Sequence, residues 1–135
     1  MTFQPSAQLT ARIDAEHVVW LTTVSPTGRP SPRPVWFAWD GAAFIVRSQP
    51  GTAKLRHIAA NPNVALNFNS SPAGGDVLVV HGTAAVAADP DPLAGVTGYL
   101  DRYRDGIAGL GLTPDTFEAA YSEQIRITPR RTWGF

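Results

Sequence analysis

His17-Val-Val-Trp-Leu-Thr-Thr-Val24 is a run of β-branched and aromatic residues that predicts a strand, and the elements around it are read outward from there. Ser25-Pro-Thr-Gly28 follows as a turn. Pro32 to Trp39 predicts a second strand. Pro32 and Pro34 donate no backbone hydrogen bond, so it belongs at an edge or in an interrupted ladder. Asp40-Gly41 is a tight hairpin signal, and Ala42 to Ser48 is a third strand expected to pair with the second. Before the first strand, Pro5 to Glu16 predicts a short helix, with Leu9 and Ile13 one turn apart and Ser6 as its cap.

After the third strand, Thr52 to Ala60 predicts a helix with Leu55, Ile58 and Ala59 on one stripe, ended by Asn61-Pro62. Asn63 to Asn69 alternates polar and apolar residues as a half-buried strand does. Ser70 to Gly75 is a loop, and Asp76 to Ala88 a long strand bent or bulged at Gly82. Helical pieces are expected over Leu93–Arg104 and Pro114–Tyr121, separated by the glycine-rich segment Gly106–Gly111. Ser122 to Thr128 alternates as a closing edge strand. Many antiparallel strands with few helices predict a mainly β fold with flanking helices (α+β), a closed or split β-barrel in one domain spanning 1–135.

Composition narrows the chemistry. The net charge is zero, which argues against nucleic acid as a partner. The longest apolar run is Val77 to Val80, far short of a membrane span. The opening Met1-Thr-Phe-Gln-Pro5 has no secretory pattern, so the cytoplasm is the expected location. With no cysteine, disulfides and thiolate metal sites are excluded. His17, His57 and His81 stand on separate elements without ligand spacing, so no metal site is expected and each reads as a surface or core histidine. No catalytic signature is present, and no catalytic residue is assigned. Lys54 is the single lysine; the other ten of the 11 cations are arginines, a usage that fits a GC-rich genome.

Lys54 lies in Arg47-Ser-Gln-Pro-Gly-Thr-Ala-Lys-Leu-Arg56, a strand end, a glycine turn and a helix start. Free backbone N–H groups at a helix start favour an anion. Hydroxyls from Ser48 and Thr52 and cations from Arg47, Lys54 and Arg56 would complete a phosphate site. The same pattern also suits an ordinary capped helix with solvated basic residues. Pro34-Val-Trp-Phe-Ala-Trp39 would offer backbone and aromatic surface beside it, or plain barrel core.

Three stretches carry a resemblance: HVVWLTTVSPTGRPSPRPVWFAWDG, FIVRSQPGTAKLRHIAANPNVAL and the tail IRITPRRTWGF. They resemble the split β-barrel flavoproteins related to pyridoxamine 5′-phosphate oxidase. More narrowly, they resemble the flavin/deazaflavin-dependent oxidoreductases of actinobacteria, in the F420-dependent branch. The resemblance implies a homodimer with cofactor sites at the subunit interface and a small-molecule substrate. It implies that Arg47, Ser48, Thr52, Lys54 and Arg56 hold the cofactor phosphate, and that Pro34, Val35 and Trp36 carry the ring system. It further implies that Arg130 and Trp133 reach the site from the partner's tail. Coenzyme F420 is the expected cofactor and FMN the alternative. The implied activity is hydride transfer from a reduced deazaflavin to an electron-poor small molecule. An FMN-dependent enzyme and a non-enzymatic cofactor store are the other readings. The tail has Arg130-Arg131 without the histidine that accompanies such arginines in pyridoxamine-phosphate oxidase itself, which argues against vitamin B6 oxidation.

Overall fold

Period-two alternation of burial marks the strands over Val19–Val24, Asn63–Asn67 and Leu78–Val86, while Phe44–Ser48 is buried throughout. The computed structural model describes residues 3–135. Its strands are β1 (Val19–Val24), β2 (Pro30–Val35), β3 (Ala38–Trp39), β4 (Phe44–Ser48), β5 (Asn63–Asn67), β6 (Leu78–Val86) and β7 (Glu123–Gly134). The helices are α1 (Ala7–Ala15), α2 (Ala53–Ala60), α3 (Tyr99–Gly109) and α4 (Pro114–Ala120), with a 3₁₀ turn at Leu93–Gly95. Ser6 caps α1 as expected, accepting from the Leu9 N–H at 3.1 Å.

All strand pairs are antiparallel, in the order β2-β1-β5-β6-β7-β4-β3. The two edge strands, β2 and β3, are consecutive in the chain, with only Trp36 and Phe37 between them. A chain that leaves one edge and enters the other within two residues forces the sheet to curl until its edges nearly meet. The result is a split barrel, as the sequence predicts.

The expected second strand, Pro32–Trp39, is therefore two strands on opposite edges. Only Ala38 and Trp39 pair with the third strand; Pro34 and Val35 pair with Trp20 and Val19. Pro30, Pro32 and Pro34 recur at every second position, so their missing N–H groups fall on one side of β2. That side faces away from β1, and the ladder survives while the outer edge is blunted.

The barrel interior holds Val19, Leu21, Phe37, Phe44, Val46, Leu66, Phe68, Leu78, Val80, Ile125 and Ile127, to which α1 adds Leu9 and Ile13, and α2 adds Ile58. Each large apolar side chain so buried contributes about 1.5–3 kcal/mol. A second core lies outside the barrel wall, where Tyr99, Tyr103 and Ile107 of α3 and Phe117 of α4 pack on Ala38 and Ile45.

Tyr103 closes the seam between these layers. Its hydroxyl accepts from the Phe37 N–H at 2.8 Å and lies 2.9 Å from the Phe37 carbonyl and 2.8 Å from that of His17, which share its proton. Arg102 reinforces the junction by donating to the carbonyls of Ile13 and Glu16 at the end of α1, at 2.7 and 2.5 Å.

Three further expectations are corrected. The helix expected from Leu93 begins at Tyr99, because Gly98 takes a left-handed conformation (φ +70°) that breaks the run. It then continues through Gly106, which is not a separator. A Cβ there would lie 2.9 Å from Trp36 Cη2, so glycine is what lets the indole lie against α3. Finally, β7 is not an edge strand: it runs on to Gly134 and lies between β6 and β4. Its Pro129 is tolerated at the register shift opposite His81/Gly82, the bulge expected at Gly82. A Cβ on Gly82 would meet the Thr128 carbonyl oxygen at 2.6 Å.

Candidate functional site

Curling brings the end of β2, the end of β4 and the start of α2 together around two adjoining cavities. The larger, about 390 Å³, is lined by Pro34, Val35 and Trp36, by Ser48, Thr52 and Lys54, and by Tyr99, Phe117 and Tyr121 from the outer helices, among others. The smaller, about 330 Å³, is lined by Thr23, Ser31, Arg33, Thr52 and Lys54. Both volumes suit a small-molecule site. Pro34, Thr52 and Lys54 belong to both, so Lys54 stands where a cationic, hydroxyl-lined cleft meets an aromatic one.

The local sequence explains the cationic end. β4 finishes in Ser48, and the chain turns through Gly51 into α2. Thr52 occupies the cap position but does not cap; its hydroxyl lies 3.0 Å from that of Ser48. The first N–H groups of α2 therefore lack a side-chain partner and favour an anion. The Lys54 ammonium has its pKa lowered from the usual lysine value, first by burial and then by the Arg33 charge. Among the described residues no carboxylate lines either cavity. Two cations, two hydroxyls and a helix start without a side-chain cap are a combination that favours an anion, although the Ser48 hydroxyl also donates to the Gln49 carbonyl at 2.8 Å and Arg33 to that of Pro32 at 2.8 Å.

Other expected residues are placed differently. Arg47 lines the larger cavity, but its guanidinium turns into the protein. It donates to the carbonyls of Asp91 and, at 3.2 Å, Tyr121, and pairs with Glu118 at 3.7 Å. Its Nε has no partner among the described residues. Arg56 lies outside both cavities and folds back onto the Gly51 carbonyl at 2.7 Å. Trp36 borders the larger cavity while stacked on Tyr103 at 4.6 Å and 8°. Arg130 and Trp133 are remote within one chain: Ser48 pairs with Glu123, and Arg130 lies seven residues further along β7, roughly 23 Å of strand.

Arg33, Tyr99, Phe117 and Tyr121 are among the site residues that sequence reasoning missed. Arg33 had a faint signal, as the single charge among the prolines of β2. The aromatics had none, since α3 and α4 reach the site only through the fold. Of the histidines, His57 pairs its Nδ1 with the Thr23 hydroxyl at 2.8 Å, and His17 sits edge-on to Tyr103 at 5.8 Å. Among the described residues no group of three His, Asp or Glu could hold a metal, and no helix is long and apolar enough to cross a membrane.

Known proteins share this architecture. An F420 reductase superposes with a TM-score of 0.73 at 26% identity, covering 96% of this chain and 98% of its own. General Stress Protein 26 from Bacillus anthracis str. Sterne gives 0.67 at 19% identity, covering 93% and 89%. The heme storage protein HutZ from Vibrio cholerae gives 0.66 at 15%, covering 99% and 95%. The last two likenesses show the fold alone. No curated protein sequence matches the chain. Residues 6–133 match the family described as pyridoxamine 5′-phosphate oxidase, with its split-barrel fold, and the chain belongs to that family.

Proposed function

We propose that this protein is an oxidoreductase that binds coenzyme F420 and serves hydride transfer to an electron-poor small molecule. One observation carries the reading: a carboxylate-free cationic cleft opens at Lys54 into an aromatic cavity. A cofactor with a phosphate at one end and a planar ring at the other matches both halves. Lys54 and Arg33 supply charge, Ser48 and Thr52 supply hydroxyls, and the start of α2 supplies N–H donors. Pro34, Val35 and Trp36 border the ring's side of the cavity. The likeness to an F420 reductase favours the deazaflavin over FMN. When bound, the reduced cofactor supplies the hydride. The chain's own part is to hold the phosphate, orient the ring and exclude water.

Arg47 has a lesser place in this reading because its terminal nitrogens are held by the Asp91 and Tyr121 carbonyls and Glu118, and Arg56 because it lies outside both cavities. Titration of F420 and FMN into one preparation tests the proposal. Tight F420 binding that weakens about tenfold or more in Lys54→Ala is expected, the worth of a charged hydrogen bond. Tighter FMN binding would change the cofactor, and an unaffected Lys54→Ala would overturn the site.

Two chains are part of the same proposal, because Arg130 and Trp133 can reach a cofactor only from a second copy. Trp20, Asn67, Val79 and Trp133 form one register row across the outer sheet. Trp133 is 60% exposed and Phe135 68%, their rings 5.9 Å apart. Sedimentation should show a dimer that Trp133→Ser weakens; a monomeric parent would overturn the pairing.

A further inference from the structure

Tyr99 is 1% exposed, yet it lines the larger cavity. Gly98 sets it at the first position of α3, and its ring packs 4.9 Å from Tyr103 and 6.2 Å from Phe117. Among the described residues its hydroxyl makes no hydrogen bond, and it is not one of the enclosed orphaned polar atoms, so it touches the open space of the cavity. The contrast with Tyr103 is instructive, because that hydroxyl is fully engaged at the seam. Buried tyrosine hydroxyls ordinarily find a partner. Here the partner must come from the cavity.

Burial pushes the Tyr99 pKa up, so the phenol keeps its proton at any physiological pH and can donate it to a hydrogen bond. The charged and titratable groups acting on it are Arg47, Tyr103 and Tyr121. The positive charge of Arg47 is offset by its partner Glu118 at 3.7 Å, so the surroundings suit a neutral acceptor. The same cavity is lined by the apolar Val18, Val35, Leu110 and Phe117, its polar lining being Arg47, Ser48, Gln49, Thr52, Lys54 and Tyr121. A molecule resting on those apolar residues has to be largely apolar and to offer one acceptor. A carboxylate fits less well, since Arg47 has spent its terminal nitrogens on Asp91, Tyr121 and Glu118.

We infer that the Tyr99 hydroxyl is a substrate-binding donor that fixes the carbonyl oxygen of a neutral, mainly apolar ring compound at the Tyr99 wall of the larger cavity, leaving the Pro34–Trp36 wall to the cofactor ring. The inference rests on the proposed function for its word "substrate". The residue's chemistry stands on the cavity alone.

The test compares two ligands that differ by one acceptor, 1-tetralone and tetralin, by equilibrium binding to the parent and to Tyr99→Phe. The parent should prefer the ketone over what the hydrocarbon achieves. Tyr99→Phe should lose about tenfold for the ketone and nothing for the hydrocarbon. A role in packing alone would move both affinities together. Equal ketone affinity in parent and variant would overturn the inference, as would a parent that binds neither ligand. F420 affinity is followed in the same proteins. If F420 fails to bind the parent while the ketone discrimination holds, the proposed function falls and the Tyr99 site survives. If F420 binds both proteins equally and the discrimination is absent, the reverse is true.

Discussion

Lys54 sits half-buried between two cavities, and Arg33 pushes on its charge. Its lowered pKa means that the unfolded chain holds the proton more tightly than the folded one. At neutral pH the charged lysine therefore works against folding. That penalty fades as pH rises through the folded pKa toward the ordinary value of 10.5. Lys54→Met removes the charge and keeps most of the stem. The variant should melt above the unliganded parent at neutral pH, and the gap should close as pH approaches 10.5. Its affinity for the phosphate-bearing cofactor should fall about tenfold or more. Thermal melts with and without ligand read both effects. A variant that is less stable and binds equally well would place Lys54 in the scaffold and not in the site.

At the scale of elements, α3 shows how tertiary packing overrides local signals. Glycine inside a helix costs about 1 kcal/mol relative to alanine, so Gly106 reads as a breaker. The helix keeps it because Trp36 needs the space. Gly106→Ala should recover that propensity and lose more, since an added Cβ 2.9 Å from an indole already stacked on Tyr103 has to displace it. Overpacking of this kind costs about 1–3 kcal/mol, and a net loss near 1 kcal/mol is expected. Urea unfolding measures it, and the tryptophan emission should shift with it. A more stable variant would mean that Trp36 moves aside freely. The same logic explains what was readable. The strands β1, β4 and β5, the Asp40 turn and the Gly82 bulge carry their signals within a few residues. The Asp40 turn is visible as its Oδ1 accepting from Ala42 and Ala43 at 2.9 and 2.7 Å. The break at Trp36-Phe37 has no local signal, because it exists only where the sheet closes. At the site, Ser48, Thr52 and Lys54 were legible as one strand–turn–helix unit. Arg33 and the aromatic wall come from distant elements and were not.

For the whole molecule, closure depends on a split barrel holding its edges together without a ladder between them. β2 and β3 are not paired, and Tyr103 bridges the segment that joins them to His17, two residues before β1. Tyr103→Phe keeps the ring on Trp36 and deletes the hydroxyl, leaving the Phe37 N–H without its acceptor inside the core. A buried group so orphaned costs about 1–3 kcal/mol. Burial, above all, pushes the Tyr103 pKa up to about 12 from 10.0. The folded state thus holds the proton more tightly than the unfolded chain. The stability this contributes is complete below pH 10.0 and is lost as pH rises toward about 12. Tyr99 shifts in the same direction, so both phenols favour alkaline unfolding, and the difference between parent and Tyr103→Phe isolates one of them. Denaturant unfolding should show the variant weaker at neutral pH, with the gap narrowing above pH 10.0. Amide exchange at Phe37 should accelerate in the variant more than exchange in β5 or β6, because the seam opens before the sheet does. A gap that stays constant across that pH range, with exchange at Phe37 unchanged, would show that the seam closes through apolar packing of Phe37 alone.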